Sequence, residues 1–106
     1  MNKEKYTNSN YIPDNNTSSE IENLNKEKQD LSNFNLKESQ LKNIYLVNAS
    51  MKNCDLSRAN LKNASMFGAD LSGSNLFKAD FENAKEGFSH PESILKFDDF
   101  SSFKAN

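Results

Sequence analysis

The chain has 106 residues, 35% of them hydrophobic and 26% charged, with a net charge of -2. That is enough for one small domain, provided its few apolar side chains are placed economically. The longest uninterrupted apolar run, Ile44-Tyr45-Leu46-Val47, is far too short to insert into a membrane, thirteen basic against fifteen acidic residues argue against direct nucleic-acid binding, and a lone cysteine excludes an intrachain disulfide.

The opening Met-Asn-Lys-Glu-Lys-Tyr carries no apolar h-region, so no Sec-type signal peptide is expected there. Residues 1–16 are rich in Asn, Ser and Thr, include Pro13 and offer little to bury, and read as a disordered tail. Residues 17–28 read as an N-terminal cap segment with helical character. Thr17-Ser18-Ser19-Glu20 has the form of a capping box, and Ile21, Leu24 and Leu31 follow at helix-compatible spacing.

From residue 29 to residue 86 the chain repeats every five residues. Leu31, Leu36, Leu41, Leu46, Met51, Leu56, Leu61, Met66, Leu71, Leu76 and Phe81 are all large and apolar. Two residues earlier runs a second register that holds only Ala, Ser or Cys from Ala49 to Ala84. Asp, Asn or Ser usually stands between the two, and Asn closes many units, at 33, 43, 48, 53, 63 and 83.

Neither regular element can use that period. On an α-helix five residues turn through about 500°, so the large side chains would drift round the axis. On a straight strand an odd period throws them onto alternate faces. A short extended piece carrying the small and the large residue on one side, followed by a corner, returns each unit to the same interior. Asn, Asp, Ser and Gly in the remaining positions suit such corners. The pattern therefore predicts an all-β solenoid.

Units such as Ala59-Asn60-Leu61-Lys62-Asn63, Ala69-Asp70-Leu71-Ser72-Gly73 and Ala79-Asp80-Phe81-Glu82-Asn83 resemble the A(D/N)LXX unit of pentapeptide-repeat proteins. Eleven consecutive units without insertion make the resemblance specific. It implies a right-handed quadrilateral β-helix, four units per coil and about three coils, hence a cylinder roughly 14 Å tall at ~4.8 Å per rung. The first coil departs from the pattern, with Gln29, Phe34 and Ile44 in the small register and Tyr45 where Asp or Asn is usual, as suits the end of a stack. The period fails at Glu86, a carboxylate in an interior position. Residues 87–106 are then a C-terminal cap with helical character, opened by Ser89-His90-Pro91-Glu92 and supplied with Ile94, Leu95, Phe97, Phe100 and Phe103.

Chemistry is hard to find in this chain. Asp55, Asp70 and Asp80 recur by period alone and read as turn formers; Cys54, between Ala49 and Ala59, reads as a buried thiol; His90 reads as a solvated residue at a helix start. The expectation is a non-catalytic protein with no cofactor and no metal site. Residues 29–86 hold seven bases (Lys37, Lys42, Lys52, Arg58, Lys62, Lys78, Lys85) and seven acids (Asp30, Glu38, Asp55, Asp70, Asp80, Glu82, Glu86). The resemblance brings a second function into view, since some family members mimic a DNA duplex and bind type II topoisomerases. Those mimics are acidic and long, and this repeat is neutral and short.

The surface offers one departure from polarity. With twenty residues per coil, Val47 lies over Phe67, both in the outward position that follows a core residue, and Phe77 holds that position on another face above Lys37 and Ser57. Either a terminal flank covers Val47 and Phe67, or Val47, Phe67 and Phe77 form a patch that docks an unidentified protein partner or a second copy. A scaffold for protein–protein interaction is the expected function. Twelve Lys to one Arg and seventeen Asn point to an AT-rich genome. The resemblance to pentapeptide-repeat proteins, which abound in cyanobacteria, implies a bacterial cytoplasmic protein.

Overall fold

The computed structural model describes residues 3–94. Its repeat region winds: seven parallel β-bridges, Asn35–Asp55, Gln40–Asn60, Tyr45–Ser65, Ser50–Asp70, Asp55–Asn75, Asn60–Asp80 and Ser65–Lys85, all join residues twenty apart. Consecutive bridges step by five, so four units complete one circuit. Among the described residues these rungs remain single bridges and never lengthen into strands.

The corner after each rung explains both its shortness and its sequence. At most corners the N–H of the small residue bonds the carbonyl of the large residue three before it, as in Ala59 to Leu56 at 3.0 Å and Ala64 to Leu61 at 3.1 Å, whereas the Cys54 N–H donates to Ser74 Oγ at 2.9 Å. The third residue of that turn has φ near +60° throughout, from Asn33 (68°) to Asn83 (61°), with Gly68 at 77° and Gly73 at 74°. A positive φ at that place excludes a type I turn and favours Gly or Asn, hence the recurrent Asn. The Asp or Asn before each large residue closes the other half of the unit. Asp55, Asp70 and Asp80 each accept the N–H two residues on through Oδ1 at 3.0 Å, and Asn60 does so at 3.1 Å. These are Asx turns, and they satisfy N–H groups that the rungs leave over.

Inside, all eleven large residues from Leu31 to Phe81 are fully buried. They stand in columns such as Leu36–Leu56–Leu76 and Leu41–Leu61–Phe81. Each contributes about 1.5–3 kcal/mol by leaving water. The small register lines the same interior, with Ala49, Ala59, Ala64 and Ala69 buried. Where it is polar it finds a carbonyl, Ser74 Oγ donating to Met51 O at 2.8 Å and Ser39 Oγ to Leu36 O at 2.6 Å.

The N-terminal segment corrects the expectation of a disordered tail. Residues 1–16 are folded from Lys3 onward, with a one-turn helix α1 (Glu4–Thr7) and a fully buried Tyr6. The Tyr6 ring lies 5.0 Å from that of Phe34 and 5.1 Å, edge-on, from that of Tyr11. Helix α2 (Thr17–Lys26) follows and buries Ile21 and Leu24. These elements satisfy the open edge of the first circuit. Tyr6 O accepts the Asn35 N–H, the Glu22 carboxylate accepts the Tyr45 N–H at 2.7 Å, and Asn25 Nδ2 donates to Val47 O at 3.2 Å. Asn and Ser content hid this, because the anchoring bonds come mostly from backbone and from single side chains.

The capping box read at residues 17–20 does not form. Thr17 sits inside α2 after the N-cap Asn16, and its Oγ1 accepts the Asp14 N–H at 2.8 Å while contacting the Tyr11 hydroxyl at 2.6 Å. Glu20 instead accepts from the Tyr6 hydroxyl and pairs with Lys5 at 3.2 Å. At the other end the backbone rungs outlast the sequence period. Gly68 N donates to Gly87 O, Ser89 N to Ala69 O, and Gly73 N to Ser93 O, because a ladder of main-chain groups does not need the side-chain code. The boundary expected at 86 is thus crossed without a break. Ser89-His90-Pro91-Glu92 gives only a 3-10 turn, Pro91–Ser93, with no side-chain cap. Leu95, Phe97, Phe100 and Phe103, expected in a C-terminal helical cap, lie outside the described residues.

Candidate interaction surface

Val47 and Phe67 stand one above the other in a single column, joined by the bond from Asn48 N to Phe67 O at 2.9 Å. Val47 is half-buried, on the wall of an open cleft of about 520 Å³ between the end of α2 and the first circuit. Phe67 is 66% exposed. Its ring lies across the backbone of Gly87, where an added Cβ would stand 2.6 Å from Phe67 Cδ1, so glycine is what allows this approach. Phe77 belongs to a different column, with Lys37 and Ser57, and is 37% exposed. The structure thus brings Val47 and Phe67 together and sets Phe77 apart.

Around Phe77 is a cluster that reading the sequence unit by unit missed. Arg58 Cζ lies 5.6 Å and Lys78 Nζ 5.5 Å from its ring centroid. Both distances are within reach of a cation–π attraction. The signal lies in every twentieth residue of the closing position, where Glu38, Arg58 and Lys78 replace the Asn or Gly of the other corners.

The groups singled out for chemistry are dispersed. Cys54 is buried, its Sγ 3.1 Å from Leu31 O, and burial pushes its thiol up to about 12. A thiol so held is not a nucleophile. Asp70 is held below the usual carboxylate value by the Ser72 hydroxyl bond first, with the Ser72 N–H, His90 and Lys52 adding to it. His90 is exposed, its Nδ1 3.0 Å from Ser89 Oγ and 3.6 Å from Asp70 Oδ2. Among the described residues no three of His, Cys, Asp and Glu gather as a metal site would require, and no helix is long and apolar enough to cross a membrane.

The family description "Pentapeptide repeats" matches this sequence in eight copies, over residues 30–63 and 54–85. The chain belongs to the pentapeptide-repeat family. Its fold is accordingly that of a β-helix, and the twenty-residue bridge spacing is what four pentapeptides per circuit require. Among solved structures it is similar to a pentapeptide repeat protein (Rfr23) from the cyanobacterium Cyanothece 51142, at 31% identity, with a TM-score of 0.31. That alignment covers 74% of this pentapeptide-repeat chain and 57% of the cyanobacterial one, so the chain spans little more than half of that relative. Among curated proteins nothing matches.

Proposed function

We propose that this protein is a non-catalytic scaffold of the bacterial cytoplasm, a right-handed quadrilateral β-helix of about three coils that binds another protein through its outward face. The observation that carries the reading is the exposure of Phe67 and Phe77 in positions where Lys and Ser are the rule. Contiguous apolar surface left in water marks contact sites, and Phe67 stands in one column with the half-buried Val47. The cleft beside α2 is lined by Lys26, Lys28, Asp30 and Tyr45 but pairs none of them as nucleophile and base, and the Asp30 Oδ1 is taken by the Ser32 N–H at 2.9 Å.

Quantitative pull-down with wild type and a Phe67→Ser/Phe77→Ser variant tests the proposal. A partner held by the wild type and lost by a variant that still folds supports it, and equal recovery by both defeats it. The alternative, duplex mimicry toward a type II topoisomerase, is disfavoured by the parity of seven bases and seven acids over residues 29–86. A gyrase supercoiling assay separates the two, since a mimic inhibits the reaction and this scaffold does not.

A further inference from the structure

Beyond Glu86 the winding continues with little to hold it. Main-chain bonds carry residues 87–93 onto the circuit before: Gly68 N donates to Gly87 O at 2.8 Å, Ser89 N to Ala69 O at 3.0 Å and Gly73 N to Ser93 O at 2.8 Å. Of these seven residues Phe88 alone is half-buried, its ring 6.0 Å from that of Phe81, and the others are exposed. A segment with so little apolar burial opens at low cost, so one electrostatic contact is enough to change how often it does.

That contact is His90 on Asp70. Elsewhere the N–H that enters a rung reaches a carbonyl twenty-one residues back, as in Asp80 to Ala59 and Lys85 to Ala64, whereas Ser89 to Ala69 spans twenty. The ladder takes Ser89 one residue early and leaves His90 beside Asp70, its Nδ1 3.6 Å from Oδ2 and 3.0 Å from Ser89 Oγ. Among the described residues the other ion pair at that oxygen is with Lys52, longer at 3.9 Å and with a side chain 56% exposed. The Ser72 hydroxyl and N–H hold Asp70 Oδ1, which fixes the carboxylate and keeps it ionised; of the charges, His90 acts on it ahead of Lys52. Gly87, in the same segment, is the floor of the Phe67 ring, where an added Cβ would stand 2.6 Å from Cδ1 and 3.0 Å from Cε1. Whatever fastens residues 87–93 therefore covers one face of Phe67.

We propose that His90 is a pH-sensitive latch, which fastens residues 87–93 over Phe67 when its ring is protonated and lets them open when the ring is neutral. The imidazolium is a cation facing a carboxylate, with an Nδ1–H to donate. A neutral ring that accepts the Ser89 hydroxyl at Nδ1 turns a lone pair toward Asp70, and the attraction is gone. A histidine that gains a carboxylate partner on folding stabilises the folded arrangement through its protonated form. The fastening is accordingly present below the ordinary imidazole value of about 6.5 and is lost as pH rises past the folded one. Its lower limit is Asp70, which must stay ionised, so it fails below about pH 4. Lysine keeps its charge throughout this range, and Lys52 adds a constant background. The latch rests on the scaffold reading for its use, since it names the regulation of the Phe67 surface: a partner reaches that ring more readily at neutral than at mildly acid pH.

The test is native-state amide exchange of the full chain by NMR, between about pH 5.5 and about pH 7.5, with rates corrected for the intrinsic pH dependence of exchange. Protection of the Gly68, Gly73 and Ser89 amides is expected to fall about two- to fivefold as pH rises, the effect of one partly exposed ion pair. The Asp55 and Asn60 amides, bonded between the first and second circuits, should not change. His90→Gln should abolish the pH dependence, and so should Asp70→Asn, which keeps the Oδ1 acceptor of its turn. A dissolved paramagnetic agent should broaden the Phe67 ring signals more at the higher pH than at the lower in wild type, and equally at both in His90→Gln. Wild-type protection that is constant or rises with pH, or an equal fall in His90→Gln, overturns the latch. So does wild-type broadening of Phe67 that ignores pH. Neither readout needs a partner, so if the Phe67-dependent capture fails while both persist, the scaffold reading falls and the latch stands.

Discussion

The Asn35 N–H donates to the Tyr6 carbonyl at 2.6 Å, the bond that Asp55 makes to Phe34 and Asn75 makes to Cys54 one and two circuits further on. Residues 3–8 therefore stand in for a preceding circuit, and the buried Tyr6 ring stacks on Phe34 as a core residue would.

Tyr6→Ala should consequently cost about 3–5 kcal/mol, the loss for a buried aromatic. Tyr6→Phe, which keeps the ring and forfeits only the bond to Glu20, should cost about 1 kcal/mol. Urea unfolding followed by circular dichroism measures both. Comparable behaviour of Tyr6→Ala and wild type would mean that the first circuit needs no lid.

Within the repeat the sharpest contrast lies in one unit. Leu61 and Ala59 are buried, whereas Lys62 faces outward and pairs with Asp80 at 3.5 Å and Glu82 at 3.9 Å. Leu61→Ala should cost about 2–5 kcal/mol. Ala59→Leu should destabilise by about 1–3 kcal/mol through overpacking. Lys62→Ala should change stability by no more than about 0.5–1 kcal/mol, as expected for half-exposed ion pairs. A harmless Ala59→Leu would contradict the inward register.

How much of this could be read from the sequence depends on which atoms carry it. The five-residue inward code was legible because Leu61 and Ala59 are chosen by the space they fill. The Asx turns were legible because Asp70 and Asp80 carry the acceptor in their own side chains. The role of Tyr6 was not, since its anchor to Asn35 is a carbonyl that every residue owns. For the same reason the rungs to Gly87, Ser89 and Ser93 passed unnoticed beyond Glu86. Reading units in sequence order also concealed the Glu38–Arg58–Lys78 corner, which exists only once residues twenty apart are stacked.

Glu86 stands in the register of Leu46 and Met66 but is only half-buried, and its Oε2 is buried without a hydrogen-bond partner. An unpartnered polar atom in such a place is costly. Glu86→Leu should extend the apolar column and raise stability by about 1–2 kcal/mol, read as a higher midpoint in urea. A fall in the midpoint would show that this position needs the carboxylate and not the column.

Acid should weaken the fold through Asp70 and Asp30, both held below the usual carboxyl value of 3.8, chiefly by bonds from Ser72 and Ser32 respectively. Because the folded values are the lower ones, their stabilisation is complete above about pH 4 and is lost as pH falls through them. Asp70→Asn keeps an Oδ1 acceptor, as Asn60 and Asn75 do natively, and should leave the fold intact at neutral pH. Its thermal midpoint should fall less steeply than that of wild type below about pH 4. An unchanged slope would remove Asp70 from the acid response.

Because each bridge joins residues only twenty apart, winding the described repeat proceeds by a series of equally short closures. Closing a loop of that length carries the same entropy at every circuit, and each closure prepares the template for the next. The assembly order is then a zipper rather than a collapse, with speed set by the first circuit to form. Helix α2 and Tyr6, packed against that circuit, give the zipper a fixed end from which to run as the chain is synthesised.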